Sequence, residues 1–358
     1  MSGATAAGAA VPRDLATFDH EELVVRRGRR SGLLTLVAVH STMRGPALGG
    51  CRMWTYADAR LAVRDVLRLS GAMTLKAAVA GLPMGGGKGV IALRPGEALD
   101  PERRRAALLD FGETVGSVGG RYLTAEDVGT GEADMAVIAE ATDHVTGLSG
   151  GSGDPSPWTA LGTQAAMQAA CARVFGDASL MGRRVAILGL GRVGGHLARL
   201  LAAAGADLVV ADLDPAKEAL AHELGARWAE PRTAFEAEVD VLAPCALGGL
   251  LDDTTVRGLR CRAIVGPANN QLADEGVADL LAARDILFAP DFVVSAGGIV
   301  NIAGELEPEG YAATRAEPAV RGIGDTLGRL LDQAGAEGTT PLAAAMALAH
   351  ERLAEPAA

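Results

Sequence analysis

Residues 184–209, RVAILGLGRVGGHLARLLAAAGADLV, decide the fold of this chain. The apolar run 185–188 reads as a buried strand. Gly189, Gly191 and Gly194 follow it at the spacing GxGxxG and open an amphipathic helical pattern, the context that gives this motif its meaning. A second strand over 208–211 ends on Asp212, twenty-three residues after Gly189. Glycines at these places allow a tight turn, close approach of a pyrophosphate to backbone N–H groups at a helix N-terminus, and close packing of helix on sheet. Asp212 stands where a carboxylate accepts hydrogen bonds from the adenosine ribose and repels a 2′-phosphate, so NAD is expected over NADP. Arg192 and Val193 in the turn, and Leu213 after the acceptor, are assigned with it to cofactor binding.

Downstream, further strands end in small or turn-forming residues: 240–243 in PCALGG, 263–265 in GPANNQL and 286–289 in PDFVVSAGGI. This fits a doubly wound sheet with a cofactor across its carboxyl ends. Ala243, Cys245, Ala246, Ala268, Asn269 and Asn270 are the cofactor-side candidates in these loops. No histidine stands close to Cys245 in the pattern, so it reads as a small buried residue and not as a nucleophile.

Upstream, residues 71–91, GAMTLKAAVAGLPMGGGKGVI, mark a reaction site. Only three of the 33 basic residues are lysines, Lys76, Lys88 and Lys217, and two of them fall in this window. Arginine stays charged under ordinary conditions, whereas an ammonium titrates readily once desolvated or set beside another cation. The three glycines before Lys88 read as a loop that feeds it into a strand over 88–93. Ahead of this window, ELVV, RRGRRSG and LLTLVAVH predict a β-hairpin from Glu22 with a solvated arginine-rich turn. PALGGCRMW reads as a glycine turn, and 58–69 as a helix that delivers the chain to Lys76. A helix is expected from Pro101 to about residue 118 and a strand over 121–124. Asp127 directly follows that strand, where a side chain points into a cleft, while Glu132 and Asp134 belong to the first turn of the next helix.

Composition bounds the rest. A length of 358 residues suits two domains, and the Gly/Ser/Pro-rich stretch 146–158 is expected to link them ahead of a helix over about 159–174. Net charge of −11 with a pI near 5.1 argues against nucleic acid and anionic membranes as partners. The four cysteines are widely spaced and lack CxxC, which suits reduced thiols and gives no metal-site pattern. Residues 1–12 read as an Ala/Gly tail without a signal sequence, so a cytoplasmic protein, neither exported nor membrane-spanning, is expected. With 3% aromatics the core must be built from Ala, Val, Leu and Ile, as in a helix-covered parallel sheet.

Taken together, LGGCRMW, MTLK, the GGGK loop, TAEDVGT, SPWTALG, GLGRVG, APCALGG, GPANNQL and SAGGI resemble the amino acid dehydrogenase family, and most closely its leucine, valine and phenylalanine members. The resemblance covers nearly the whole chain after residue 20. It implies an α/β protein of two domains. An N-terminal substrate-binding and oligomerisation domain, residues 1–150, would be completed by C-terminal helices over 325–358, and a Rossmann NAD domain would occupy 151–324. Catalysis would take place in the cleft between them. The implied reaction takes an L-amino acid, water and NAD⁺ to a 2-oxo acid, ammonia and NADH, in a homo-oligomer and without a metal.

Carried over by motif, Lys76 would bind the substrate carboxylate, Lys88 would polarise the reacting centre and activate water, and Asp127 would relay protons. Gly49 and Gly50 would turn backbone carbonyls toward the amino group. Thr159, with Asn269 or Asn270, would hold the nicotinamide end. Two positions depart from the family pattern, Ser295 for the usual Asn and Cys51 for the usual Thr. Leu48, Ala125, Ile299 and Ile302 would line the side-chain pocket. All four are aliphatic, which favours Leu, Val or Ile and leaves a glutamate carboxylate without a partner. GAMTL and LPMGGGK look closest to the phenylalanine enzymes, which keeps phenylalanine as the alternative substrate. Two other readings are a hydroxy-acid or malic-type oxidoreductase and a non-catalytic NAD-binding regulator. The spacing from MTLK to GGGK and the TAEDVGT loop speak against the first, and the presence of both lysines and Asp127 against the second.

Overall fold

The computed structural model describes residues 18–246 and 248–355, so the expected N-terminal tail lies outside the described residues. Two sheets organise the chain. The first has the order β1-β2-β4-β3-β5, built from β1 (Glu22–Arg27), β2 (Leu34–Ser41), β3 (Ala47–Thr55), β4 (Gly85–Leu93) and β5 (Tyr122–Glu126). β1, β2 and β4 pair antiparallel, and β3 pairs parallel with both β4 and β5. The hairpin is as expected, but its turn is anchored to the protein. Buried Asp110 accepts from the backbone N–H and hydroxyl of Ser31 and pairs with Arg30.

Helix α1 (Ala59–Val79) begins at Asp58, whose carboxylate accepts from the N–H groups of Arg60 and Leu61. It runs ten residues past the predicted end, so Lys76 sits on the helix itself and not beyond it. The paired glycines at 49 and 50 and the triple glycine at 85–87 are strand residues in β3 and β4, where turns and loops were expected. Packing explains why. A Cβ on Gly86 would collide with the Thr74 backbone of α1, one on Gly87 with the Tyr122 ring, and one on Gly49 with the Gly87 carbonyl. These glycines let helix and neighbouring strands approach more closely than side chains permit. The opposite face of the sheet is covered by α2 (Pro101–Gly116) and α3 (Glu132–Ala139), around buried Phe111, Tyr122 and Met135.

After the Gly/Ser/Pro stretch, α4 (Ser156–Phe175) leads into a six-stranded, all-parallel sheet. Its elements are β6 (Arg184–Leu188), α5 (Arg192–Ala203), β7 (Asp207–Ala211), α6 (Glu218–Glu223), β8 (Arg227–Trp228), α7 (Pro231–Phe235), β9 (Val241–Pro244), β10 (Ala263–Ile264), α8 (Val277–Ala282) and β11 (Leu287–Phe288). The order β11-β10-β9-β6-β7-β8 is that of a doubly wound dinucleotide fold, reversing direction between β6 and β9. α5 buries Leu197, Ala198 and Leu201 on one face.

The chain ends in α9 (Asp291–Val294), α10 (Gly297–Ala303), α11 (Ala313–Glu337) and α12 (Pro341–Ala354). α11 packs on α4, and α12 returns to α1. There Arg352 donates to the carbonyls of Ala78 and Val79, and Arg44 donates to that of Arg352. Among the described residues no helix is long and apolar enough to cross a membrane.

The Gly86→Ala substitution forces a methyl group against the α1 backbone. A loss of roughly 1–3 kcal/mol is expected, measured as a lowered midpoint in urea unfolding at unchanged slope.

Candidate active site

A cavity of about 510 Å³ lies between the first half of β3, Lys88 of β4 and the carboxyl end of β5 on one side and the N-terminus of α5, the loops after β9 and β10, and α9 and α10 on the other. A larger groove of about 910 Å³ runs between α4 and α11. Its charges, such as the Arg173–Asp332 pair, are exposed at the surface, so the buried chemistry is in the cleft.

The cleft holds both lysines on backbones that the glycines bring together. Lys88 is buried on β4, and its Nζ lies 3.0 Å from Asp127 Oδ2. Arg52, on the neighbouring β3, donates its Nε to the same oxygen at 3.0 Å. Burial works against the Asp127 charge, but the two cations overcome it and hold the carboxyl at about 2. Burial lowers the pKa of Lys88, aided by Arg52 and opposed by Asp127. Lys76 donates to Asn269 Oδ1 at 2.9 Å, bridging α1 and the loop after β10. Burial, with Lys88 nearby, brings its ammonium down to about 8.

Most other candidates converge on the same space. Leu48, Ala125, Ile299 and Ile302 form aliphatic wall, and Thr159, Asn270 and Gly50 also face the cavity. The hydroxyl of buried Tyr122 donates to the Gly49 carbonyl at 2.6 Å and lies 3.5 Å from that of Gly50. Thr159 Oγ1 bonds back to the Pro155 carbonyl. Ser295, which also lines the cleft, donates its hydroxyl to the Asp291 carbonyl within its own helical turn. Cys51 is buried in β3, with its thiol pKa pushed up by burial.

The dinucleotide candidates divide into two groups. Gly191, Arg192, Val193, Cys245, Ala246 and Ala268 line the cavity. Gly189, Gly194, Asp212, Leu213 and Ala243 are not part of its lining. Gly189 takes φ +105, and a Cβ on Gly194 would run into the Gly189 carbonyl, so the turn can hold only glycine at these points. Gly191 has open space around it and caps α5 without a side chain, leaving first-turn N–H groups for an anion. This cradle fits a pyrophosphate. Asp212 accepts from the Leu190 N–H at 2.6 Å and the Asp214 N–H at 2.9 Å, so it braces the turn and keeps lone pairs for a ribose. Leu213 is 90% exposed beside it.

Three charged residues in or beside the cleft were not read from the sequence. Arg52 sits within LGGCRMW, two residues after the paired glycines, and bonds Asp65 as well as Asp127. Asp291 follows β11 much as Asp127 follows β5, and that parallel was available. It accepts from the Asn270 N–H at 2.6 Å, and burial raises its pKa. Glu126 precedes Asp127 and is buried beside Arg192.

The fold and this cradle define a two-domain dehydrogenase of the Rossmann type, and sequence comparisons narrow the class. The dimerisation-domain profile of Glu/Leu/Phe/Val dehydrogenases matches residues 20–144, and the Glutamate/Leucine/Phenylalanine/Valine dehydrogenase profile matches 210–355. The NAD-binding domain of D-isomer specific 2-hydroxyacid dehydrogenases matches 163–247 only, which is the shared dinucleotide unit. The leucine dehydrogenase of Thermoactinomyces intermedius is 42% identical over 340 residues, 94% of this chain and 91% of its own. The valine dehydrogenase of Streptomyces virginiae is 43% identical over 345 residues, 94% of each. Among solved structures, L-tryptophan dehydrogenase from Nostoc punctiforme superposes with a TM-score of 0.77 at 34% identity, over 95% of this chain and 98% of that one. The chain belongs to the Glu/Leu/Phe/Val dehydrogenase family.

Replacing Asp127 by Asn removes the carboxylate shared by Lys88 and Arg52 and leaves the buried Lys88 ammonium facing Arg52 without its anion. The expected loss is about 3 kcal/mol at neutral pH, read from urea unfolding of the two proteins.

Proposed function

We propose that this chain is an NAD-dependent L-amino acid dehydrogenase that oxidatively deaminates branched-chain aliphatic substrates. The observation that carries this reading is the meeting of Lys76, Lys88 and Asp127 with an aliphatic wall and a dinucleotide cradle in one cavity. When bound, NAD supplies the hydride acceptor at its nicotinamide ring. The Lys76 ammonium binds the substrate carboxylate. Asp127, ionised at neutral pH, accepts a proton from the substrate ammonium, and the Gly49 and Gly50 carbonyls orient the nitrogen. Loss of hydride from Cα leaves an iminium. As the free amine, its pKa lowered by burial, Lys88 takes a proton from the water that attacks this centre, giving a carbinolamine whose oxygen the resulting ammonium polarises. Asp127 returns its proton to the nitrogen, the C–N bond breaks to release ammonia, and the carbinolamine hydroxyl gives its proton to solvent as the C=O bond forms, leaving the 2-oxo acid bound to Lys76. Thr159, Asn269 and Asn270 position the nicotinamide end, while Arg192, Val193, Asp212 and Leu213 serve the pyrophosphate and adenosine.

Leu48, Ala125, Ile299 and Ile302 give the pocket no cation for a side-chain carboxylate, so glutamate is rejected. In this reading residues 1–150 with 325–358 form the substrate and oligomerisation domain and 151–324 the NAD domain. The distinct sheets and the return of α12 to α1 support that division. A homo-oligomer in the cytoplasm completes the proposal.

Purified protein at alkaline pH, followed by NADH absorbance, is expected to turn over L-Leu, L-Val and L-Ile with NAD⁺. L-Phe is expected at least about tenfold below them in kcat/KM, and L-Glu and NADP⁺ near background. Phenylalanine ahead of the branched-chain set would overturn the pocket assignment. Silence with every amino acid would overturn the reaction.

Lys76 loses its charge as pH rises through about 8 in the free enzyme. In the aminating direction, KM for the 2-oxo acid is therefore expected to be flat below that pH and to climb about tenfold per unit above it. Lys76→Gln should show high KM without this pH break.

A further inference from the structure

Glu126 is the last residue of β5, and its side chain is only 3% exposed. Its Oε1 lies 3.1 Å from Nη1 of Arg192, the first residue of α5, and its Oε2 is buried with no hydrogen-bond partner. Nη2 of Arg192 lies 3.3 Å from Asp154 Oδ2, on the segment between the two domains. Three chain segments thus meet on one guanidinium: the strand that carries Asp127, the interdomain stretch, and the first turn of the dinucleotide helix. Arg192 remains 55% exposed toward the cleft, with N–H groups left to donate.

Glu126 is almost closed to solvent and, among the described residues, has no other cation in reach, so separating it from Arg192 would strand a buried carboxylate. The pair is therefore a fixed strut, not a loose surface bridge. A strut of this kind also fixes the direction of the guanidinium beside the anion cradle at Gly191.

We propose that Glu126, supported by Asp154, is a positioning residue that holds Arg192 ready for the dinucleotide pyrophosphate and keeps the Asp127 end of β5 in register with the cofactor. This rests on the dinucleotide reading of the site. Among the described residues, Arg192 and Asp154 are the charged groups facing Glu126. Burial, countered by Arg192 and reinforced by Asp154, brings its carboxyl up to about 7. Above that pH the carboxylate engages Arg192, and below it the protonated acid lets go.

The test is direct binding of NAD⁺ by calorimetry, together with steady-state kinetics. Glu126→Gln is expected to raise the Kd for NAD⁺ about five- to tenfold while KM for L-Leu changes less than about twofold. In an Arg192→Met background the same substitution should add almost nothing, because Glu126 acts through Arg192. Wild-type Kd should rise as pH falls through about 7, and the Glu126→Gln curve should be flat. Asp154→Asn, altered at the more exposed end of the strut, should weaken NAD⁺ in the same direction and covers the case in which Glu126→Gln does not fold. An unchanged Kd in both variants, or an equal loss in the Arg192→Met background, would overturn the proposal. A wild-type protein that binds no NAD⁺ would instead overturn the dinucleotide reading beneath it.

Discussion

The structure depends on a close approach, that of α1 to β4. Two lysines twelve residues apart share one cavity because the strand between helix and sheet has almost no side chains at 85–87. Helices normally pack on sheets at a distance set by side chains on both surfaces. Here the Thr74 backbone lies directly over Gly86, so α1 sinks into the sheet and carries Lys76 to the level of Lys88. Without that contact the two ammonium groups would sit in separate environments, and neither would feel the other's charge.

Electrostatics follow from this packing. Two buried lysines and Arg52 would repel one another were it not for the Asp127 carboxylate, which lies against Lys88 and Arg52 together. Burial pushes every one of these groups toward its neutral form, and the pairing decides which keep their charge. Asp127 stays ionised, while the lysines are brought closer to working pH. This difference is what proton transfer at a carbon–nitrogen centre requires. Glu126 and Asp127, adjacent in sequence, point to different partners: Asp127 pairs with Lys88 and Arg52, and Glu126 with the dinucleotide helix.

Much of the fold was legible because its signals are local. The GxGxxG turn, its flanking strands and the acidic residue after the second strand all fall within 184–212 and rest on backbone constraints that hold wherever they occur. The hairpin at Glu22 and the proline-started helix at 101 are of the same kind. The glycine runs were misread as a turn and a loop for a related reason. Glycine is poor at forming strands by itself, and nothing nearby in the sequence announces that Thr74, Tyr122 and Phe111 will press against β4. Arg52 was passed over because its partners, Asp65 and Asp127, lie 13 and 75 residues away.

By itself the sequence determined the dinucleotide fold, the acidic and aliphatic character of the protein, and the short set of side chains able to do chemistry. Those properties reside in residue type and in spacing along one stretch of chain. Tertiary structure alone decided which of these side chains meet, how far their charges shift, and that a buried glutamate grips the first residue of the cofactor helix. Burial and charge–charge interaction depend on distance in space, and segments as remote as β5 and α5 acquire a distance only once both sheets have been packed.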